Sequence, residues 1–126
     1  MKVLIIDDSP DITDLLVKVL TAIGHQVSFT NSGREGLELI KAGRFDAVFL
    51  DIAMPDFSGL DIIDSLVSEG KLADNLIVLF TASSITDSEV AELVKLGIHS
   101  CLRKPVQIDT LFEKMTEIEK ARSVAK

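Results

Sequence analysis

The sequence holds one cysteine, no tryptophan, no tyrosine and only three prolines in 126 residues. A single thiol, Cys101, excludes an intrachain disulfide and a multi-cysteine zinc site. No apolar stretch approaches the ~20 residues that cross a bilayer, so no membrane partner is expected. The opening apolar run ends at once in Asp7 and Asp8, far short of the ~7–15-residue core of a secretory signal. An EF-hand loop and the G-x-x-x-x-G-K-[ST] phosphate loop are both missing, which removes those calcium and nucleotide sites. Basic side chains are in the minority, 13 against 20 acidic, for a net charge of −7. That sign repels phosphate backbones and anionic lipid and suits basic partners or a bound cation, so no direct nucleic-acid contact is expected. What is present is an ordinary globular balance of 47% hydrophobic and 26% charged residues. One cytoplasmic domain over residues 1–126 is the reading.

Five short apolar runs carry the strand signal: Val3–Asp7, Gln26–Thr30, Asp46–Asp51, Leu76–Thr81 and His99–Arg103. The first, third and fourth are nearly continuous, as strands covered on both faces require. Helical periods separate them. Ile12, Leu15, Leu16, Val19, Leu20 and Ile23 form one stripe; Leu37 and Ile40 mark a second helix. Leu60, Ile63, Leu66 and Val67 mark a third, Val90, Leu93 and Val94 a fourth, and Ile108, Leu111, Phe112, Met115 and Ile118 a fifth. Pro10 suits a first helical turn with Asp8 or Ser9 as its cap, and Gly24 closes that helix. Thr86-x-x-Glu89 is a capping-box pattern opening the fourth helix, which Gly97 closes. The fold class is therefore α/β, (βα)5, an open parallel sheet with helices on both faces.

In such sheets the site lies at the carboxyl ends of the strands. The residues there are Asp7-Asp8, Asn31-Ser32, Asp51, Thr81 and Lys104. Three crowded carboxylates repel one another, so either their pKa values rise or a cation joins them. Hard oxygen ligands without a histidine or cysteine set favour Mg2+ or Mn2+ over zinc. A carboxylate beside such a metal, a lysine and a hydroxyl is suited to accepting a phosphoryl group. Asp51 would attack, Lys104 and the metal would neutralise the equatorial oxygens, and Thr81 would donate to the bound group.

At this point the ordered set resembles a known family. Asp7-Asp8, Asp51 with Met54-Pro55 and Gly59 (D-x-x-M-P-x-x-x-G), Thr81-Ala82 and Lys104-Pro105 resemble the receiver domain of two-component response regulators. The resemblance implies a doubly wound, flavodoxin-like or CheY-like sheet of order 2-1-3-4-5. It implies phosphotransfer from a sensor histidine kinase or histidine phosphotransfer protein onto Asp51. Asp8 and Asp51 would ligate Mg2+ directly, Asp7 through water, with the Ala53 carbonyl as a further ligand. Thr81 would be the switch hydroxyl, Lys104 the phosphate partner and Lys104-Pro105 a cis peptide. A downstream protein would be engaged through the face of helix four, strand five and helix five. One departure stands out: where the family commonly places Tyr or Phe three residues before the lysine, this sequence has Cys101. A thiol is too small to swing between buried and exposed states, so the output face is expected to signal by loop and backbone shifts.

Two rivals share parts of this pattern. A flavodoxin-type cofactor binder needs a hydroxyl- and amide-rich loop after the first strand, and Asp7-Asp8-Ser9-Pro10 would repel the phosphate. A Mg2+-dependent aspartyl-phosphate phosphatase or phosphotransferase would need an acid/base beside Asp51, and the D-x-D-x-T/V pattern is absent because Ile52 and Ala53 follow. The module is thus expected to be a non-enzymatic switch with slow self-hydrolysis, tuned by Ala53 and Ser83. The initial Met and the absence of a linker favour a stand-alone regulator over a piece of a longer one.

Overall fold

The structure, a computed structural model, describes residues 1–126 except 44, 82–84, 106 and 126, with backbone alone at 73 and 122–125. The elements alternate as β1 (Lys2–Ile6), α1 (Pro10–Ala22), β2 (Gln26–Thr30), α2 (Gly33–Ala42), β3 (Ala47–Asp51) and α3 (Gly59–Ser68). After a 3-10 turn at Leu72–Asp74 come β4 (Ile77–Thr81), α4 (Asp87–Leu96), β5 (Ser100–Arg103) and α5 (Ile108–Ala125). The five strands are all parallel in the order β2-β1-β3-β4-β5.

The apolar runs are continuous because both faces of the central strands are covered. Alternate residues divide between two cores. Leu4, Ile6, Val48, Leu50, Ile77 and Leu79 pack against Leu37 and Ile40 of α2 and Ile62, Ile63 and Leu66 of α3. Val3, Ile5, Ala47, Phe49, Val78 and Phe80 pack against Leu16 and Leu20 of α1 and Leu111, Met115 and Ile118 of α5. Phe49 and Phe80 stack with ring centroids 5.4 Å apart, tying the two central strands together on that face. Each central strand therefore brings its carboxyl end to the same edge, with little freedom to slip.

The helix stripes differ in detail from the sequence reading. In α1 the buried line runs Thr13, Leu16 and Leu20, while Leu15 is 50% and Ile23 46% exposed. The helix ends at Ala22, and Gly24 follows with φ at 97°, the left-handed region that glycine enters without penalty. In α3, Ile62 is buried while Leu60 and Val67 are exposed. The α4 helix has no buried residue of its own; Leu93 packs partly on the core. It is fastened at its start instead, by the reciprocal Thr86–Glu89 capping box. Ser58 and Asp61 form a second such box at the start of α3. Among the described residues, no helix is long and apolar enough to cross a membrane.

Candidate functional site

The carboxyl edge gathers the three acidic residues through two neighbouring strands. Asp7 follows β1 directly, Asp51 ends β3, and β1 and β3 are paired. One oxygen from each of Asp7, Asp8 and Asp51 lies within 4.8 Å of the others, a spacing that one hard divalent cation can bridge. Asp7 is 0% and Asp51 3% exposed, whereas Asp8 faces solvent. The site is thus lined from beneath by two buried carboxylates and closed from outside by a third.

Each buried carboxylate is held by specific donors. The Ser9 amide donates to Asp7 Oδ1 at 2.9 Å, and Lys104 Nζ donates to Asp7 Oδ2 at 2.9 Å. The same ammonium stands 3.4 Å from Asp51 Oδ1, which also accepts from the Ala53 amide at 3.2 Å. One cation spread over three carboxylates leaves the site short of positive charge. Accordingly Asp51 is pushed up to about 6, chiefly by burial and next by the charge of Asp7, with Lys104 and the Ala53 amide pulling the other way. Burial alone would lower Lys104, but its hydrogen bond to Asp7 and the two carboxylate charges outweigh that and raise it. Lys104 therefore stays charged, and the three carboxylates present only oxygen donors, a set that could hold a hard cation.

Thr81 ends β4, one residue beyond the Asp51–Phe80 register pair, and is buried. Its carbonyl accepts from the Lys104 amide at 2.7 Å. The Lys104–Pro105 peptide is cis. Ala82 and Ser83, named from the sequence, lie outside the described residues. Cys101 is half-buried against the α3 side of the core, and burial pushes its thiol up. Arg103, beside it on β5, reaches back to α4: Nη1 donates to the Ile85 carbonyl at 3.0 Å and Nη2 to Asp87 at 2.9 Å.

The glycine of D-x-x-M-P-x-x-x-G acquires a steric reason. A Cβ at Gly59 would stand 2.4 Å from the Asp51 carbonyl oxygen and 2.9 Å from Ile52 Cα. The Gly59 amide donates to the Ile52 carbonyl at 3.0 Å, so α3 starts in direct contact with the backbone bearing Asp51. Gly33 plays the matching part for α2, where a Cβ would fall 2.0 Å from the Phe57 carbonyl oxygen. The loop after β3 is therefore gripped from both ends.

Thr13 escaped the sequence reading, whereas Asn31, already marked there as a strand-end residue, is its partner. Thr13 is 1% exposed, and its hydroxyl receives Asn31 Nδ2 at 3.1 Å; the same nitrogen donates to the Asp7 carbonyl at 2.8 Å. A signal existed for Thr13: it shares the buried phase of Leu16 and Leu20, and a polar residue there must find a partner inside.

Comparison with known proteins agrees with this geometry. The family model described as response regulator receiver domain matches residues 3–116. "Response regulator MprA" of Mycolicibacterium vanbaalenii is 34% identical over 115 residues, covering 91% of this chain and 48% of that protein. The chain thus spans about half the length of the curated relatives it matches. Among solved structures, TrrA of Thermotoga maritima, in complex with Mg2+-BeF, is 30% identical with a TM-score of 0.76, covering 93% of this chain and 97% of that one. The receiver domain of a LuxO repressor protein from Vibrio parahaemolyticus superposes with a TM-score of 0.87 at 21% identity, over 98% and 93% of the two chains, and speaks to the fold alone. Motif order, strand order and the family match over nearly the whole length lead to one assignment: the chain belongs to the response regulator receiver domains, the signalling modules of two-component systems.

Proposed function

We propose that residues 1–126 act as one cytoplasmic phosphoacceptor module, in which Asp51 accepts a phosphoryl group from a phosphohistidine of a sensor kinase or phosphotransfer protein. The observation that carries this is the convergence of three carboxylates within 4.8 Å around one lysine that touches two of them. In the transfer, the P–N bond of the donor breaks as a P–O bond to an Asp51 carboxylate oxygen forms, and the imidazole leaves with a proton from water. Lys104, charged and held against Asp7, faces the equatorial oxygens and offsets their negative charge. The Ala53 amide holds one Asp51 oxygen in place. Thr81, at the adjoining strand end, would donate its hydroxyl to the bound phosphoryl group.

Asp8 and Asp51 directly and Asp7 through water would hold Mg2+, with the Ala53 carbonyl as a further ligand by the family resemblance; Mn2+ suits the same oxygen donors. When bound, the ion supplies charge neutralisation to the acceptor and the incoming phosphoryl oxygens. The reading is of a switch and not of a turnover enzyme: the acyl phosphate would hydrolyse slowly, at a rate that Ala53 and Ser83 tune.

Cys101 at the usual aromatic position favours transmission through the backbone. The Thr81 carbonyl is bonded to the Lys104 amide, and Arg103 in turn holds Ile85 and Asp87 at the start of α4. A shift at the end of β4 would reach α4 along this path and alter the α4–β5–α5 face offered to a downstream protein. The net charge of −7 argues against direct nucleic-acid contact by this module.

Intact-mass spectrometry tests the core of the proposal. Wild type incubated with acetyl phosphate and Mg2+ should gain one hydroxylamine-labile phosphoryl group, and Asp51→Asn should gain none. A folded wild type without an adduct, or an adduct that persists in Asp51→Asn, would overturn it.

A further inference from the structure

Around Asp7 the hydrogen bonding reaches past the carboxylate. Its main chain is bracketed by the end of β2 on both sides: its amide donates to the Thr30 carbonyl at 3.2 Å, and its carbonyl accepts from Asn31 Nδ2 at 2.8 Å. That carbonyl belongs to the peptide plane joining Asp7 to Asp8, so its direction sets where the Asp8 side chain leaves the backbone. Asn31 holds the plane from outside the acidic loop, and Thr13 holds Asn31. The buried Thr13 hydroxyl accepts from the second amide hydrogen at 3.1 Å and itself donates to the Pro10 carbonyl at 3.1 Å.

The chemistry admits no simple substitute. Against the Asp7 carbonyl only an N–H or O–H can stand, and Nδ2 has two hydrogens for two acceptors. An aspartate at position 31 would set oxygen against oxygen and add a fourth negative charge. An apolar residue would leave the Asp7 carbonyl without this donor in a buried position.

From this geometry we infer that Asn31 is a positioning residue for the cation-binding carboxylates: through the Asp7 carbonyl, with Thr13 as its anchor, it fixes the Asp7–Asp8 peptide so that Asp8 faces Asp51. The inference rests on the metal-binding part of the function proposed above. It assigns to β2 and α1, which supply no metal ligand, a role in cation affinity. Groups that orient ligands without touching the metal commonly have such effects.

Mn2+ alone is a suitable probe, because its solution EPR signal falls on binding and reports affinity without any phosphoryl donor. The full chain would be titrated as wild type, Asn31→Ala, Thr13→Val and Thr13→Ser, with far-UV circular dichroism confirming folding. The Asn31→Ala dissociation constant should rise about five- to tenfold. Thr13→Val, which keeps the shape but not the hydroxyl, should rise about threefold, while Thr13→Ser binds like wild type. In Mg2+-dependent phosphorylation, the half-saturating Mg2+ concentration of Asn31→Ala should shift by the same factor, with the rate at saturating Mg2+ retained. Loss of a purely stabilising asparagine would lower the melting temperature and leave both midpoints in place.

Folded Asn31→Ala with wild-type Mn2+ affinity would overturn the inference. Should Asn31→Ala not fold, equal affinities for Thr13→Val and Thr13→Ser would overturn it instead. Failure of the metal reading looks different: the wild type itself would leave the Mn2+ signal untouched, and the inference would fall with it.

Discussion

Replacing Gly59 by alanine sets two forces of opposite sign against each other. Gly59 is the first residue of α3, and helix propensity alone favours alanine by up to about 1 kcal/mol. The tertiary contact opposes this. A methyl carbon and a carbonyl oxygen rest at about 3.3 Å or more, and the added Cβ would meet the Asp51 oxygen at 2.4 Å. Something must therefore move by roughly 0.9 Å, and the nearest atoms are all backbone of Asp51 and Ile52. These atoms cannot rotate away, since Ile52 is bonded to Phe80 of β4 through its amide and to Gly59 through its carbonyl. Overpacking of this kind costs about 1–3 kcal/mol, so the clash exceeds the propensity gain and the net loss is about 1–2 kcal/mol. For a chain of this size that lowers the melting temperature by about 4–8 °C. Because the displaced carbonyl belongs to Asp51 itself, phosphoryl uptake should also slow by about tenfold or more. Thermal unfolding followed by far-UV circular dichroism suits a protein without tryptophan, and intact mass follows the adduct. A Gly59→Ala protein melting at or above wild type would refute the close-approach argument.

The charge balance of the site makes two further predictions. In the metal-free protein Asp8→Asn should melt higher than wild type, because it removes repulsion at the solvent side of the acidic cluster; Mg2+ at ten times its Kd should add ~1.4 kcal/mol to wild type and little to the variant. A Mg2+ response that survives in Asp8→Asn, or none in wild type, would count against the cluster as a cation site. Asp51, raised from 3.8 to about 6, favours folding most in its protonated form. Its contribution is complete below about pH 4 and lost as pH rises through about 6. Metal-free wild type should therefore lose stability relative to Asp51→Asn between about pH 4 and about pH 6.5, and parallel melting curves across that range would contradict the raised pKa.

Much of the architecture was legible in the sequence because it depends on local chemistry. Continuous apolar runs specify strands covered on both faces, and the structure covers β1, β3 and β4 on both. Thr86 and Glu89 stand three apart and close their capping box without outside help. Asp7, Asp51, Thr81 and Lys104 were identifiable as strand-end residues, and parallel strands necessarily bring such residues to one edge. The two exposed positions on the α1 stripe were not legible. Periodicity shows which residues share a helix face, but the width of face a sheet edge can cover depends on where the neighbouring elements lie.

By itself, then, the sequence determined the order and type of the elements, the edge at which function gathers and the chemical class of the groups there. These follow from residue spacing of one turn or one strand. Tertiary structure alone decided that Lys104 touches both Asp7 and Asp51, and that Thr13 and Asn31 meet over the Asp7 carbonyl. It also decided that Gly59 and Gly33 are glycines because other backbone passes within contact distance. Each of these depends on the distance between segments far apart in the chain, and that distance is set only when both cores are packed.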